Sequence, residues 1–211
     1  MNRRLMMAQQ QKGFELVYDA ASGEFPDADK KWVYINTGWY SKRKIENNLL
    51  YCSVDHLYSQ QRYRPNGHFQ AKRSEVIIEV ENWSTYAWDS NNGCILGVVL
   101  TDGTYYAACN LMDGKMCIGK VSGKSTVAEG GIWANLKNIG YSFPQKFTFR
   151  MVFDSGMAYY YIDDELMYTQ TDFLDKTTIQ GETISANEMY NTIRFGSCAF
   201  TYISKITYKE W

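Results

Sequence analysis

The chain has 211 residues, 22 basic and 23 acidic side chains, and a formal net charge of −1. This balance gives no reason to expect nucleic acid or an anionic membrane as a partner, and no apolar run approaches the roughly 18 residues of a membrane-spanning helix. The length fits one domain that buries a sizeable core. Aromatic residues make up 16% of the chain, which favours β-strands and also suits a surface that stacks on ligands.

The N-terminus contains two arginines, Arg3 and Arg4, as a secretory signal would. The apolar residues 5–8 are too few for the hydrophobic part of a signal, and polar residues follow them. We therefore expect a protein that is made and kept in the cytoplasm, with no secretion signal. Residues 1–13 are predicted to form an N-terminal arm, and residues 14–211 to form a single domain.

Five cysteines lie mostly within apolar, strand-like segments. They are Cys52, Cys94, Cys109, Cys117 and Cys198. Their odd number and unpaired spacing argue against a disulfide framework, and no C-x-x-C motif suggests zinc. We expect small buried side chains in a protein of a reducing compartment.

The first half of the domain contains four segments with the composition of strands. These are residues 14–18, 32–35, 49–54 and 75–82. In the last segment Val76, Ile78 and Val80 share one parity, which predicts that they face the core. The polar residues 37–48 and 55–73 are predicted to be loops, the second of them the longest irregular stretch of the chain.

Three further strands, residues 93–101, 104–111 and 115–121, follow at short spacing. The dipeptides between them, Asp102-Gly103 and Asp113-Gly114, are typical of tight hairpin turns. Residues 146–169 then alternate strictly, with Phe147, Phe149, Met151 and Phe153 on one parity, which predicts a meander of three antiparallel strands.

Residues 172–191 are predicted to form a second long loop, before closing strands at 192–196 and 203–210. About a dozen strands without a helix predict an all-β fold, a two-sheet antiparallel β-sandwich or jelly roll, since one open sheet of that width would leave unprotected edges.

Four segments resemble the concanavalin A-like lectin/glucanase superfamily. They are KIENNLLYCS at 44–53, the hairpin NNGCILGVVLT and YYAACNL at 91–111, the strands around YIDDEL at 161–166, and TIRFGSCAFTYISKITYKEW at 192–211. The resemblance implies a lectin-like jelly roll over residues 14–211. None of these segments is a catalytic signature, so the resemblance predicts the fold and indicates little about the function.

Laminarinase-type hydrolases of this superfamily carry three acids at i, i+2 and i+4 on one strand face. In this chain Glu79 and Glu81 are in register, and Trp83 stands where the third acid belongs. The incomplete triplet predicts a domain that is not an enzyme, with acids on a solvated sheet face. The alternative is a glycoside hydrolase that uses Glu79 and Glu81.

Two clusters offer aromatic faces and polar groups of the kind that bind sugars. The first, in predicted loops, comprises Trp39, Tyr40, Arg62, Tyr63, Arg64, Asn66 and His68. The second, at a strand exit, comprises Trp83, Tyr86 and Trp88. The alternative interpretation is that these aromatic residues cap the ends of the sandwich.

No metal site is expected. His56 and His68, beside Asp55, lack the spacing of a zinc site. The resemblance implies calcium as the alternative, since the superfamily often binds it through loop oxygens. The candidate ligands are Asp89, Asn91, Asn92, Asp172 and Asp175.

A lectin-like fold without a secretion signal fits a particle that is assembled in the cytoplasm and displayed after lysis. We therefore expect a non-catalytic bacteriophage virion component (tail, fibre or head decoration) that contacts host-surface glycan. Its arm would dock it to other virion proteins, in a multimeric assembly without nucleic acid or membrane partners. The alternatives are the hydrolase and a purely architectural virion protein that binds no sugar.

Overall fold

The computed structural model describes residues 13–36, 40–56, 60–67, 73–86, 93–101, 105–112, 114–122, 137–154, 157–170, 177–179, 182–184, 190–196 and 198–211. These residues form two large antiparallel sheets packed face to face, which confirms the predicted all-β sandwich. Within this part of the chain the one helix is a 3₁₀ turn, Ala20–Ser22, and no helix is long and apolar enough to cross a membrane.

The first sheet has eight strands in the order β13-β12-β11-β6-β17-β4-β3, and β1 pairs with the second half of β17. Its strands are β1 (Phe14–Asp19), β3 (Ser41–Glu46), β4 (Leu49–Val54), β6 (Arg73–Thr85), β11 (Phe147–Asp154), β12 (Met157–Ile162), β13 (Glu165–Gln170) and β17 (Ala199–Glu210). Because β4 pairs with the first half of β17 and β1 with the second, both lie on the same side of that long strand.

The second sheet has seven strands in the order β10-β9-β8-β7-β16-β5-β2. Its strands are β2 (Trp32–Asn36), β5 (Gln60–Pro65), β7 (Cys94–Thr101), β8 (Tyr105–Met112), β9 (Lys115–Ser122), β10 (Lys137–Gly140) and β16 (Tyr190–Gly196). A separate hairpin joins β14 (Thr177–Ile179) to β15 (Glu182–Ile184).

The core lies between the two sheets, and alternate residues along the strands contribute their side chains to it. Phe149, Met151 and Phe153 of β11 are fully buried, and Val76, Ile78 and Val80 of β6 are at most 1% exposed. Each such side chain contributes on the order of 1.5–3 kcal/mol through burial. The predicted meander is confirmed as β11, β12 and β13.

The turn between β12 and β13 shows why the meander closes tightly. Asp163 and Asp164 both adopt positive φ angles, 48° and 65°, which matches the twist of a two-residue hairpin. The Asp163 carboxylate also accepts a hydrogen bond of 2.8 Å from the backbone N–H of Thr148. This contact ties the turn back to β11.

Strands stand in three places where loops were predicted. β3 and β5 fall within residues 37–48 and 55–73, and β14 and β15 fall within the predicted loop 172–191. On β3 the inward parity includes Arg43, whose guanidinium reaches the buried Tyr63, and on β5 it includes Gln61, which is fully buried. Polar residues at inward positions hide the apolar alternation by which a strand is recognised.

All five cysteine side chains are buried, and none of them forms a disulfide bond. Cys52 and Cys109 belong to the main core. The Cys117 thiol lies 3.5 Å from the Met112 sulfur. Burial raises the pKa of the Cys117 thiol to about 11 and raises the pKa of Cys52 further. The thiols are therefore neutral and shielded near neutral pH.

Candidate functional site

The described members of the first predicted cluster do not all lie on one surface. Trp39 and His68, and Trp88 of the second cluster, lie outside the described residues. Tyr40 is 58% exposed and stacks on His56 with ring centroids 5.0 Å apart. It lies next to β3 of the eight-stranded sheet, whereas the remaining members belong to the seven-stranded sheet.

Tyr63 is a core residue, so its prediction as a loop contact is wrong. It is fully buried on β5, where its ring packs against Tyr34 and Phe195. Arg43 donates a hydrogen bond of 3.1 Å to the phenol oxygen. Burial raises the pKa of Tyr63 well above its ordinary value. Its side chain completes the interior.

Arg62 and Arg64 lie on β5 and not in a loop. Since Gln61 and Tyr63 point inward with no exposure, the alternating arginines take the outer face of the seven-stranded sheet. Asn66 follows the strand in a turn, where its side-chain amide donates to the Lys30 carbonyl over 2.9 Å. Arg62 and Arg64 therefore share one sheet face, whereas the Asn66 side chain is held in the turn by Lys30.

Trp83 holds the segment that precedes β11 against the end of β6. Its indole N–H donates to the Pro144 carbonyl over 2.8 Å, and its ring packs on the edge of the core. The Gln145 side chain in the same connection donates to the carbonyl of Trp83 and, over 2.6 Å, to Asn82. These contacts match the interpretation that Trp83 caps the end of the sandwich.

Glu79 and Glu81 lie on the outer face of the eight-stranded sheet. Ser204 donates to Glu81 over 2.9 Å and approaches Glu79 at 3.4 Å. The Lys146 ammonium pairs with Glu81 at 2.6 Å. The hydrogen bond from Lys146, reinforced by Ser204, lowers the pKa of Glu81. Glu81 is therefore ionised near neutral pH and is unsuited to donating a proton.

A continuous group of aromatic rings lies on the same outer face. It comprises Tyr51 of β4, Phe200 and Tyr202 of β17, and Tyr86 after β6; we call these four residues the aromatic platform. Their neighbours along the strands, including Leu50, Cys52, Thr201 and Ile203, are buried. Period-two alternation therefore turns the platform rings outward.

The rings contact one another across β4 and β17. Tyr51 lies 4.9 Å from Tyr202 and 6.0 Å from Phe200 between ring centroids. Phe200 lies 5.9 Å from Tyr202 and 6.3 Å from Tyr86. Aromatic rings attract one another at these tilted and edge-on angles, which helps to fix the positions of the four rings. All four side chains are half-buried, so each keeps part of its surface in contact with solvent.

Polar groups surround the platform. The Lys44 ammonium lies 5.0 Å from the centre of the Tyr51 ring and pairs with Glu46 at 2.7 Å. Tyr202 donates to Glu46 over 3.3 Å. Glu46 raises the pKa of Lys44 and Lys44 lowers that of Glu46, chiefly through their hydrogen bond. Both groups are charged near neutral pH.

The Tyr86 hydroxyl lies 2.8 Å from the Ser53 hydroxyl. Desolvation raises the pKa of Tyr86 and of Tyr202, so both phenols stay protonated near neutral pH. The platform therefore presents aromatic faces, hydroxyls that donate and accept, one cation and one anion.

Apart from Tyr86, the residues of the platform were not predicted from the sequence as site residues. The signal was present in the alternation of Phe200 and Tyr202 with buried neighbours. The last strand was predicted to begin at residue 203, so these two residues were left outside it.

At the level of sequence, no protein-family model and no curated protein matches the chain. Solved structures do match its fold. SCLam, a non-specific endo-β-1,3(4)-glucanase from family GH16, aligns with a TM-score of 0.61 and 11% identity, over 97% of this chain and 93% of that chain. The fold is concanavalin A-like.

Two further structures share this concanavalin A-like fold. The Crh5 transglycosylase in complex with NAG aligns with a TM-score of 0.59 and 11% identity, over 93% of this chain and 83% of that chain. The VIP36 exoplasmic/lumenal domain, in its Ca²⁺/Man3GlcNAc-bound form, aligns with a TM-score of 0.54 and 8% identity, over 86% and 83%.

These matches correct the prediction that the domain is not an enzyme. The matched structures include a glucanase and a transglycosylase as well as a glycan-bound domain, so the scaffold serves enzymes and binders alike. The prediction rested on the incomplete acid triplet at Glu79 and Glu81, which lie on one face of one strand. It took no account of the outer face of the seven-stranded sheet.

Calcium has a precedent on this scaffold in the Ca²⁺-bound VIP36 domain. Among the described residues of this chain, no group of three or more His, Cys, Asp or Glu side chains could hold a metal ion. The predicted calcium ligands all lie outside those residues. They are Asp89, Asn91, Asn92, Asp172 and Asp175.

Proposed function

We propose that the protein binds carbohydrate through the aromatic platform. The observation that carries this proposal is the contiguity of four outward rings on one sheet face, with centroids 4.9–6.3 Å apart along the chain of contacts. Sugar rings present apolar C–H faces, and these stack on aromatic side chains. A rigid sheet holds the rings in place before the ligand arrives, which lowers the entropic cost of binding.

The rim supplies the polar part of recognition. Glycan hydroxyls both donate and accept hydrogen bonds, and the rim offers partners for each: the Lys44 ammonium donates, the Glu46 carboxylate accepts, and the Tyr86 and Tyr202 phenols do either. The matched structures with bound NAG and Man3GlcNAc support the assignment of carbohydrate as the ligand class.

Single ring truncations test the platform. Tyr51→Ala and Tyr202→Ala each remove one stacking face, worth about 0.5–1.5 kcal/mol, so each should weaken glycan binding by about 2- to 13-fold in Kd. Titration calorimetry with an oligosaccharide that binds the wild type measures the effect.

Tyr159→Ala is the matched control. Tyr159 is a half-buried tyrosine on the outer face of the same sheet, but it lies on β12, which β11 and β6 separate from β17. It should leave Kd unchanged. Equal losses in Tyr159→Ala and Tyr51→Ala, or no loss in either platform variant, would contradict the assignment.

A second candidate is glycan hydrolysis at Glu79 and Glu81. The Ser204 hydroxyl links the two carboxylates, and the depressed pKa of Glu81 suits a nucleophile, which leaves Glu79 as the acid. The test is release of reducing sugar from β-1,3- and β-1,4-linked glucans. Glu79→Gln and Glu81→Gln should each abolish release, and release at the wild-type rate in both would contradict this candidate.

As its biological setting, we propose that the protein is a bacteriophage virion component that contacts host-surface glycan, displayed in several copies. The five buried cysteines, which form no disulfide, support synthesis in a reducing cytoplasm, and residues 1–13 would dock the protein to the particle. Several copies would turn a weak single site into useful avidity. Light scattering of the full chain should show a multimer that deletion of residues 1–12 dissociates, and a monomeric full chain would contradict multimeric display.

A further inference from the structure

Strand β1 has one edge that no described strand covers. Along its whole length, Phe14–Asp19, it pairs with the second half of β17. Among the described residues no strand pairs with its other side. Since alternate residues of an antiparallel strand direct their backbone groups to opposite sides, half of the N–H and C=O groups of β1 point away from β17. We call this side the free edge.

The free edge lacks the usual features that keep an edge strand from pairing, which are lysine, proline and bulges. The end strands of the same sheet have them: β3 carries Lys42 and Lys44, and the pairing of β13 with β12 contains a register shift. β1 has no lysine or proline, and its pairing with β17 is continuous. Its apolar side chains Phe14 and Val17 are 36% and 48% exposed. The free edge is therefore open to an added strand.

An acidic groove adjoins the end of β1. This cavity of about 630 Å³ is lined by Val17 and Asp19 of β1 and by Glu24 and Asp29 of the connection to β2, among others. Its described lining contains no residue of β17 and no basic side chain. Asp29 pairs with Lys31 at 2.8 Å, whereas the exposed Glu24 carboxylate makes no hydrogen bond or ion pair in the described part of the chain. The groove therefore favours a basic side chain.

The charges of β1 disfavour a second β1 as the partner. If two copies paired through their free edges around Val17, Glu15 of each would lie opposite Asp19 of the other. Like charges directly opposite each other destabilise a strand pair. The free edge instead matches a segment that is basic at one end, beside the groove, and apolar at the other, beside Val17 and Phe14.

The arm of this chain has that composition. Residues 1–12 carry three basic side chains and no acid. Arg3 and Arg4 stand together and are followed by the apolar residues 5–8. In an antiparallel pair the start of one strand lies beside the end of the other. Residues 3–8 paired with β1 in this way bring the two arginines to the groove and the apolar residues to the start of β1.

The arm of another copy reaches the groove more directly than a copy's own arm. Gly13, the first residue that the structure describes, lies against the end of β17, since a Cβ placed on it would come within 2.7 Å of the Glu210 carbonyl oxygen. The chain therefore still follows β17 where the arm begins. Asp19 and the groove lie at the opposite end of β1, about 20 Å away. A copy's own arm would have to reverse its direction to lie along β1.

We propose that the free edge of β1 binds residues 3–8 of a second copy as an added antiparallel strand, with Arg3 and Arg4 at the acidic groove. This inference rests on the multimeric display proposed above and identifies the surface to which the arm docks. Backbone hydrogen bonds along the free edge supply the affinity, and the groove selects the basic end of the segment.

Charge reversal on either side of the contact tests the pairing. Glu24→Lys and the double variant Arg3→Glu/Arg4→Glu should each raise the dissociation constant of the multimer by about tenfold. Light scattering of the full chain over a concentration series measures it. Glu165→Lys is the matched control, because Glu165 is an exposed acid on β13, at the other side of the same sheet. It should leave the dissociation constant unchanged.

Mixing two variants shows whether the arm crosses between copies. Val17→Lys/Glu24→Lys blocks the free edge and keeps a normal arm, whereas Arg3→Glu/Arg4→Glu alters the arm and keeps a normal edge. Each should be monomeric alone at a concentration at which the wild type is a multimer. An equal mixture should form a one-to-one dimer, because the normal arm of one protein binds the normal edge of the other.

The added strand and the proposed function fail separately. A wild-type multimer that neither Glu24→Lys nor Arg3→Glu/Arg4→Glu weakens would overturn the added strand and leave multimeric display standing. A mixture that stays monomeric would overturn the exchange of arms between copies, and a monomeric wild type would overturn both the exchange and the display. If the mixture dimerises while Tyr51→Ala leaves glycan binding unchanged, the platform is wrong and the added strand stands.

Discussion

Arg43 joins the two sheets at their open edge, and replacing it with lysine tests how. Its guanidinium lies between two rings, 4.3 Å from the centre of Phe25 and 3.8 Å from that of Tyr34. It also donates to both carboxylate oxygens of Asp27, at 2.5 and 3.3 Å, and to the Tyr63 hydroxyl. Its side chain is 24% exposed, so these contacts are only partly screened.

Lysine keeps the charge in Arg43→Lys but loses the planar fork and the stacking face. The fully buried Tyr63 hydroxyl loses its donor, at about 1–3 kcal/mol, and two cation–π contacts weaken, at about 0.5–1 kcal/mol each. Lysine recovers part of the ion pair with Asp27. We therefore expect a loss of about 2–3 kcal/mol in the free energy of unfolding, and a Tm lower by about 4–12 °C for a domain of this size.

Urea unfolding followed by tryptophan fluorescence measures this loss. Lys42→Ala is the matched control, because Lys42 is the exposed neighbour of Arg43 on β3 and should change stability by no more than about 0.5 kcal/mol. An Arg43→Lys protein as stable as the control would refute the view that stacking and bidentate pairing hold this edge.

Three further predictions concern single groups. The hydrogen bond from Lys146 is the chief cause of the lowered pKa of Glu81. The ion pair therefore stabilises the fold above the ordinary carboxyl pKa, and this contribution disappears as the pH falls. In paired urea titrations, Glu81→Gln should be less stable than the wild type at pH 7 and equally stable at low pH. Tyr86→Phe removes the hydrogen bond to buried Ser53 and should lower the free energy of unfolding by about 0.5–1.5 kcal/mol, which scanning calorimetry would show. The five buried thiols should react slowly with a disulfide reagent in native protein and all at once in urea; fast native reaction would contradict their burial.

The sequence predicts the parts of the fold in which one strand carries its own pattern. The alternation at Phe147, Phe149, Met151 and Phe153 needs no knowledge of neighbours, and β11 appears where the pattern puts it. β3 and β5 failed because Arg43 and Gln61 occupy inward positions. Their partners, Asp27 and the carbonyls of Lys42 and Ser53, come from other segments, so no local pattern announces them.

The platform was hidden for a related reason. Tyr51, Tyr86 and Phe200 are far apart in the chain and meet only because β4 and β6 both pair with the first half of β17. Strand order across a sheet is not encoded in the alternation of any single strand. Conversely, the cluster around Tyr63 was predicted because β5 was taken for a loop. Inward and outward side chains of that strand were therefore assigned to one surface.

A glycan array probed with the purified full chain, in calcium and then in EDTA, tests the central claim most directly. We predict binding to a defined set of glycans that EDTA leaves unchanged, because the platform binds by ring stacking and side-chain hydrogen bonds, and that Tyr51→Ala weakens while Tyr159→Ala does not. An array that stays blank, or binding that both variants retain at full strength, would contradict carbohydrate recognition by the aromatic platform.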